Sequence, residues 1–311
     1  MKWIPCLAVI FLLASPGVLA KKCKIDLSTE AAKVKTAKCL AFQSTTTGLK
    51  KNGPPKKIAV GSFQIRYNLR TQEYGMIGPY SSNVRRTYLQ WDDSVYQQVT
   101  DLMYDSFVEK MTAEGFEVAA LDDVKATSVY QRMKVGTEAK KKGHLVRFTP
   151  HGMKHMKMQG ALQAQKHLPG INKELGTDAV VSVFLTLSLC QMEKGKLFQK
   201  KQRGAYLCFA DTEGPRLFQN NPFMVQFYGG YKEGKMPGGK ILYSPKWTNG
   251  FSKPAEPALY FNEVAHVEKR GWWMGLEKFA DPDVEEFAKS AVSAFDIMID
   301  LGLAQYKAKA K

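Results

Sequence analysis

The sequence predicts an α/β fold: a mixed β-sheet with helices packed on it, a β-hairpin-rich second half and a C-terminal helix. Three patterns carry that expectation. Residues 179–189 alternate, with Val181, Val183, Leu185, Leu187 and Leu189 forming a uniformly apolar set that a half-buried strand turns to its core. Val95, Val99, Leu102, Met103 and Phe107 recur at helical spacing behind Asp92, a good N-cap. Asp281-Pro282-Asp283 supplies an N-cap, a proline at the first helical position and acidic residues in the first turn. The apolar stripe Val284, Phe287, Ala291, Phe295, Met298 and Ile299 follows it.

In chain order, residues 1–20 read as a secretory signal peptide. Lys2 precedes an apolar run over 6–14, then a Ser15-Pro16-Gly17 break and small Ala20. The run falls short of the roughly 20 apolar residues that span a bilayer. The expectation is therefore a periplasmic or secreted chain with no transmembrane helix after signal removal. Lys21 and Lys22 stand where a lipoprotein needs small residues, which argues against acylation of Cys23. Residues 21–56 form a basic arm and linker, with one short helix after Leu27-Ser28-Thr29-Glu30. The α/β domain is expected over 57–303, and a basic tail with Lys307, Lys309 and Lys311 over 304–311.

Within the domain, 58–67 is a strand by alternation and by its branched and aromatic content. Gly75, Gly78-Pro79 and Ser81-Ser82-Asn83 mark 68–90 as loop. A helix spans 93–113, closed by Gly115, and a strand covers 116–121. Asp122 or Asp123 caps a further helix running through Met133, and the lysine-rich stretch 134–143 is exposed. Residues 159–175 are helical with a break at Pro169-Gly170. Strands at 205–209, 223–228, 240–243 and 259–267 are joined as hairpins.

Composition sets the class. The chain is 44% hydrophobic, 11% aromatic and 24% charged, far from the signature of disorder. Its formal net charge of +16, of which residues 1–20 hold only Lys2, favours anionic partners. Export points away from nucleic acid and towards an envelope protein partner or an anionic envelope polymer. Of the five cysteines, Cys6 leaves with the signal. Cys190 and Cys208 fall in strand-like segments that a hairpin can bring opposite one another, leaving Cys23 and Cys39 as the other pair. Four cysteines allow three connectivities, and buried free thiols packing as small hydrophobes are the alternative.

No motif carries catalysis. Residues 229–236 and 234–241 match the glycine and lysine positions of a phosphate-binding loop, yet they lack its Ser or Thr and lie between strands, where no helix N-terminus completes an anion cradle. His151, Met153 and His155, with Met156 and Met158, offer imidazole and thioether donors that suit copper. Pro150, Gly152 and the lack of an acidic or cysteine ligand nearby favour methionine packing instead, so no metal or other cofactor is expected. There is no G-x-S-x-G and no H-E-x-x-H, and His144, His151, His155, His167 and His266 have no catalytic motif around them. Trp272-Trp273 is a surface-binding candidate for a sugar or a protein, the alternative being burial beneath the C-terminal helix.

Ile58-Ala59-Val60-Gly61-Ser62-Phe63, the helix ending in Glu114-Gly115-Phe116-Glu117-Val118, and Leu175-Gly176-Thr177-Asp178-Ala179-Val180-Val181 stand in an order that resembles the periplasmic α/β domains of the curli-secretion-channel family. It is similar also to the N-terminal domain of the Tol-system translocation protein and to lipoprotein activators of penicillin-binding proteins. The resemblance covers 57 to about 210. It implies a non-enzymatic envelope component that binds other proteins, in some cases as a homo-oligomeric ring. The chain departs from the secretion channels in having no lipobox and no evident pair of lipid-facing hairpins, although 223–243 has room to conceal one. The expected function is an exported envelope binding or assembly factor. The alternative is a secreted protein or enzyme that engages an anionic glycan on Trp272, Trp273 and nearby lysines.

Overall fold

A computed structural model describes residues 23–47, 53–76, 82–89, 91–137, 139–142, 144–155, 161–194, 202–209, 222–236, 239–243, 247–253, 259–270, 277–280 and 284–310. Residues 1–20 and the Trp272-Trp273 pair lie outside them.

The two most regular apolar segments pair at the centre of the sheet. Strands β2 (Lys57–Asn68) and β8 (Ala179–Lys194) run parallel, from Ile58 opposite Ala179 to Asn68 opposite Ser188. On the other side of β8 lies antiparallel β10 (Phe223–Gly229), then β13 (Trp247–Lys253) and the short edge strand β1 (Gln43–Thr45). Beyond β2, the parallel strand β5 (Glu117–Val118) meets its start and the antiparallel strand β7 (Leu145–Phe148) its end. Strand β6 (Lys140–Lys142) follows β7. Parallel and antiparallel pairs thus share one sheet, as the α/β expectation required.

The second half supplies the hairpins. The far half of β8 pairs with β9 (Gln202–Phe209), then β14 (Leu259–Arg270) and β15 (Glu277–Ala280). Strand β15 lies parallel to β4 (Ser82–Leu89), which forms a hairpin with β3 (Arg70–Met76). Strands β11 (Lys232–Met236) and β12 (Gly239–Tyr243) make a separate two-stranded sheet. Within the stretch 68–90, expected as loop, Arg70–Met76 and Ser82–Leu89 are therefore strands. Gly75 pairs with Asn83 inside the ladder, so the glycine taken as a loop signal is a strand residue.

Helices cover both faces. Phe63, Ile65 and Tyr67 of β2 point to α2 (Asp93–Ala113) and α6 (Val284–Ala310): the Phe63 ring centroid is 5.5 Å from Tyr104, 5.9 Å from Phe107 and 5.9 Å from Phe295. The Tyr67 hydroxyl, wholly buried there, lies 3.0 Å from Thr100 Oγ1 and donates to the Tyr96 carbonyl at 3.1 Å. Helices α2 and α6 are tied by Ser106 Oγ to Asp296 Oδ1 at 2.5 Å, by Lys110 Nζ to Asp300 Oδ1 at 2.9 Å, and by Lys307 with Glu114. These ties step in the same direction along both helices, which are therefore parallel.

The opposite face carries α5 (Ala161–Leu175), with α3 (Leu121–Ala126) and α4 (Ser128–Gln131) beside it. A bulge between Val60 and Ser62 places Gly61 directly under α5, where a Cβ would strike Val180 and Leu168. Helix α5 continues through Pro169 without the expected break. Leu168 to Ile171 are buried and Gly170 leaves space that Val129 occupies, so packing outweighs the lost backbone bond. The single helix expected through Met133 is instead divided at Thr127. There the backbone is extended, and Oγ1 donates to Val124 O and accepts from Tyr130 N. Glu174 caps α4, accepting from Ser128 N at 2.5 Å, Ser128 Oγ at 2.7 Å and Val129 N at 3.1 Å. Burial pushes the Glu174 pKa up, but these bonds outweigh it and hold it below the usual glutamate value.

The basic arm is part of the fold. Helix α1 (Glu30–Cys39), capped by Thr29, packs against α6, and a disulfide joins Cys23 to Cys39 with Cα atoms 5.9 Å apart. Ala37, Leu40 and Phe42 are buried, and β1 closes the edge of β13. At the other terminus, α6 runs to Ala310 with 301–306 buried, so the first part of the expected tail belongs to the core. Tyr306 stacks on Phe227 at 5.4 Å and donates to Asn249 Oδ1 at 2.7 Å. Removing the disulfide by Cys23→Ser with Cys39→Ser is expected to cost about 3 kcal/mol, the entropy of a loop of this length. Denaturant unfolding of the oxidised protein and the variant gives the difference; equal midpoints would show that the arm is held by packing alone. Among the described residues no helix is long and apolar enough to cross a membrane.

Candidate functional site

Alternation along β2 divides its side chains. While Phe63, Ile65 and Tyr67 enter the helix face, Ser62, Gln64, Arg66 and Asn68 face the other way, alongside Ser182, Thr186 and Ser188 of β8. All seven are buried. Gln64 Nε2 donates to Ser62 Oγ at 3.2 Å. Arg66, 5% exposed, donates from Nε to Thr186 Oγ1 at 3.1 Å, and its guanidinium lies 5.4 Å from the centre of the Phe184 ring. A sheet face that is polar where it is buried is unusual, because each such group needs a partner.

The register then sets cation beside cation. Arg66 is opposite Arg147 of β7, and Arg147 is opposite Lys140 of β6. Like charges directly opposed on neighbouring strands destabilise the pairing. Burial lowers the pKa of the half-buried Arg147, and the positive charge of Arg66 lowers it further. Among the described residues the Arg147 guanidinium has no hydrogen-bond or ion-pair partner. The Arg147 guanidinium is thus the group of this row that is open to an anion.

Of the histidine and methionine residues that suggested copper, Met156 and Met158 lie outside the described residues. His151 adopts a left-handed backbone at φ 46° just before Gly152, and its side chain is exposed, whereas Met153 and His155 are buried. The loop is pinned to α2 and α3. Asp101 Oδ1 accepts from His151 N at 2.7 Å, Asp105 Oδ1 lies 2.9 Å from His151 Nε2, and Lys125 Nζ donates to His151 O at 2.7 Å. Gln97 Nε2 braces the same corner through Asp101 Oδ1 and Thr149 O. Among the described residues no group of three His, Cys, Asp or Glu side chains is placed to hold a metal ion.

The other candidates separate in the same way. Cys190 is opposite Tyr206 and Cys208 is opposite Ser188, so the two cysteines are offset by two residues and do not face each other across the β8–β9 pair. A diagonal offset spans about 7–8 Å, beyond the usual Cα separation of a disulfide. Of the glycines of the phosphate-loop-like stretch, Gly229 ends β10, Gly234 lies in β11 and Gly239 begins β12. Trp272 and Trp273 lie outside the described residues.

An open groove of about 680 Å³ runs between α2 and α6. Leu102, 42% exposed, lines it with the apolar Val284, Ala288 and Val292 and with the charged Lys289 and Asp296. Burial raises the Asp296 carboxyl pKa against the opposing bond from Ser106 and the charge of Lys110.

Sequence reasoning took 134–143 as an exposed polar stretch and did not find the basic row. Arg66, Lys140 and Arg147 meet only through the pairing of β2 with β7 and of β7 with β6. The one local signal was the alternation of Ser62, Gln64, Arg66 and Asn68 with apolar residues, which marks a two-faced strand. No family profile, curated protein or solved structure matches the chain.

Proposed function

We propose that the protein is an exported, non-enzymatic binding or assembly factor of a cell envelope, which docks an anionic partner on the β2–β7–β6 end of its sheet. The observation that carries this reading is the row Arg66, Arg147 and Lys140, in register across three strands of a chain whose net charge is +16. Export is supported by the residue order of 1–20, and the disulfide between Cys23 and Cys39 fits an oxidising compartment. Strand β6 is three lysines, and a charged edge discourages strand addition by a partner. Attraction through charge therefore replaces β-augmentation in this reading. Such attraction raises the rate of encounter and weakens as salt screens it.

The test uses the native protein from fractionated cells. Its N-terminus is expected at Lys21, and its retention on the envelope fraction is expected to weaken several-fold between about 0.1 M and about 1 M salt, as the Debye length falls from about 10 Å to about 3 Å. A chain that still begins at Met1, or retention indifferent to salt, defeats the proposal.

A further inference from the structure

We infer that the groove between α2 and α6 docks a second copy of this chain, groove against groove about a two-fold axis, in a weak dimer. The inference goes beyond the anion-docking reading and rests on a different face of the sheet.

Three observations lead to it. The first is an apolar centre. Among the described residues the large hydrophobic side chains left exposed are Leu102 and Tyr231. The Lys173 ammonium stands 5.8 Å from the centre of the Tyr231 ring, whereas Leu102 opens into the groove. Ser106 bonds to Asp296 and Lys110 to Asp300, each across 190 positions of sequence. The same offset sets Leu102 level with Val292, so the two helices bring apolar groove residues to one height.

The second is the order of charge. Lys289 and Asp296 line the groove on one helix, two turns and about 10 Å apart along its axis, with Val292 and Ser293 midway. A two-fold axis at that midpoint runs the two copies of α6 antiparallel and sets Lys289 opposite the partner's Asp296, twice over. Leu102 and Val292 then meet their own copies at the centre. A purely cationic partner is opposed by Lys289 and a purely anionic one by Asp296, so a reversed copy of the groove is the occupant that matches both. Glu285, at the outer end, is exposed, and crossing helices diverge there. The third observation is the state of Asp296. Burial raises its carboxyl pKa although it accepts from Ser106 and lies near Lys110. A lysine brought across the axis stabilises the ionised form, more so in a partly desolvated place than on open surface.

The contact is small. From Val284 to Asp296 the groove runs about 18 Å along α6 and about 20 Å across the two helices. That footprint falls below the roughly 800 Å² per partner of a standard interface, so the dimer depends on concentration. Strongly basic chains also repel one another, an effect screened beyond about 8 Å at about 0.15 M salt.

Sedimentation velocity of the full mature protein in about 0.15 M salt tests the inference. The parent is expected to shift from monomer towards dimer between about 1 and about 100 µM. Leu102→Asp and Lys289→Glu are each expected to weaken association about tenfold or more, the first by charging the apolar centre and the second by setting like charges together at both ends. Lys309→Glu, the same charge change at the far end of α6, is expected to associate as the parent does. Ser293→Cys puts a thiol beside the axis and is expected to give a crosslinked dimer on mild oxidation, which the parent and Ala308→Cys do not. Lys289 is exposed, so Lys289→Glu decides the matter even where Leu102→Asp costs stability. A parent that stays monomeric at every concentration, equal weakening by both glutamate variants, a dimer indifferent to Leu102→Asp, or equal crosslinking at 293 and 308 overturns the inference.

Discussion

Gly250→Ala is expected to leave little folded protein. Gly250 sits in the middle of β13, paired with Gln226 of β10 on one side and with Thr45 of β1 on the other. Its φ of 156° directs the missing side chain sideways, within the sheet, and a Cβ there would overlap the Val225 carbonyl and the Cα of Gln226. Both obstacles are backbone, so no rotamer change relieves the clash. Forcing the strands apart and straining the residue together cost about 4 kcal/mol, a large part of the stability of a marginally stable domain. Soluble yield and far-ultraviolet circular dichroism report the outcome. A variant that melts within a few degrees of the parent would mean that β13 can shift away from β10.

Phe63→Ala is expected to destabilise by about 3–5 kcal/mol, through lost burial and the cavity left behind. For a chain of this size that is a fall in Tm of roughly 6–15 °C. The residue is wholly buried, and its ring touches Tyr104 and Phe107 of α2 as well as Phe295 of α6. It is therefore the point at which the sheet holds both helices, and no single neighbour can relax into the space. Phe63→Leu keeps most of the volume and should lose less than half as much. If the two variants melt together, retained apolar volume contributes nothing and the loss belongs to the ring contacts themselves.

The elements that were legible in the sequence are those whose side chains repeat with one period and whose ends carry their own signals. Helix α2 begins at Asp93 behind Asp92 and ends beside Gly115, as read, and the apolar stripe of α6 is buried from Phe287 to Ile299. Strands β2 and β8 differ from their expected limits by a few residues. What was missed had local chemistry that tertiary pairing overrode. Gly75 in β3 was read as a loop signal and sits in a ladder; Pro169 was read as a breaker and sits within α5. The basic row is a third kind of omission. Arg66 and Arg147 are eighty-one positions apart, and nothing local in either segment shows that their strands are neighbours.

Because α1 lies against α6 and β1 edges β13, the first and last described helices finish the same corner of the molecule. A polypeptide made from its N-terminus can join Cys23 to Cys39 early, since they are only 16 residues apart. The helix that α1 must rest on is made only after every described strand of the sheet. Until it docks, Phe63, Phe227 and Phe251 have no cover from that side, so the slow step of assembly is the closure of long-range contacts, and oily strands stand open to solvent while it is awaited.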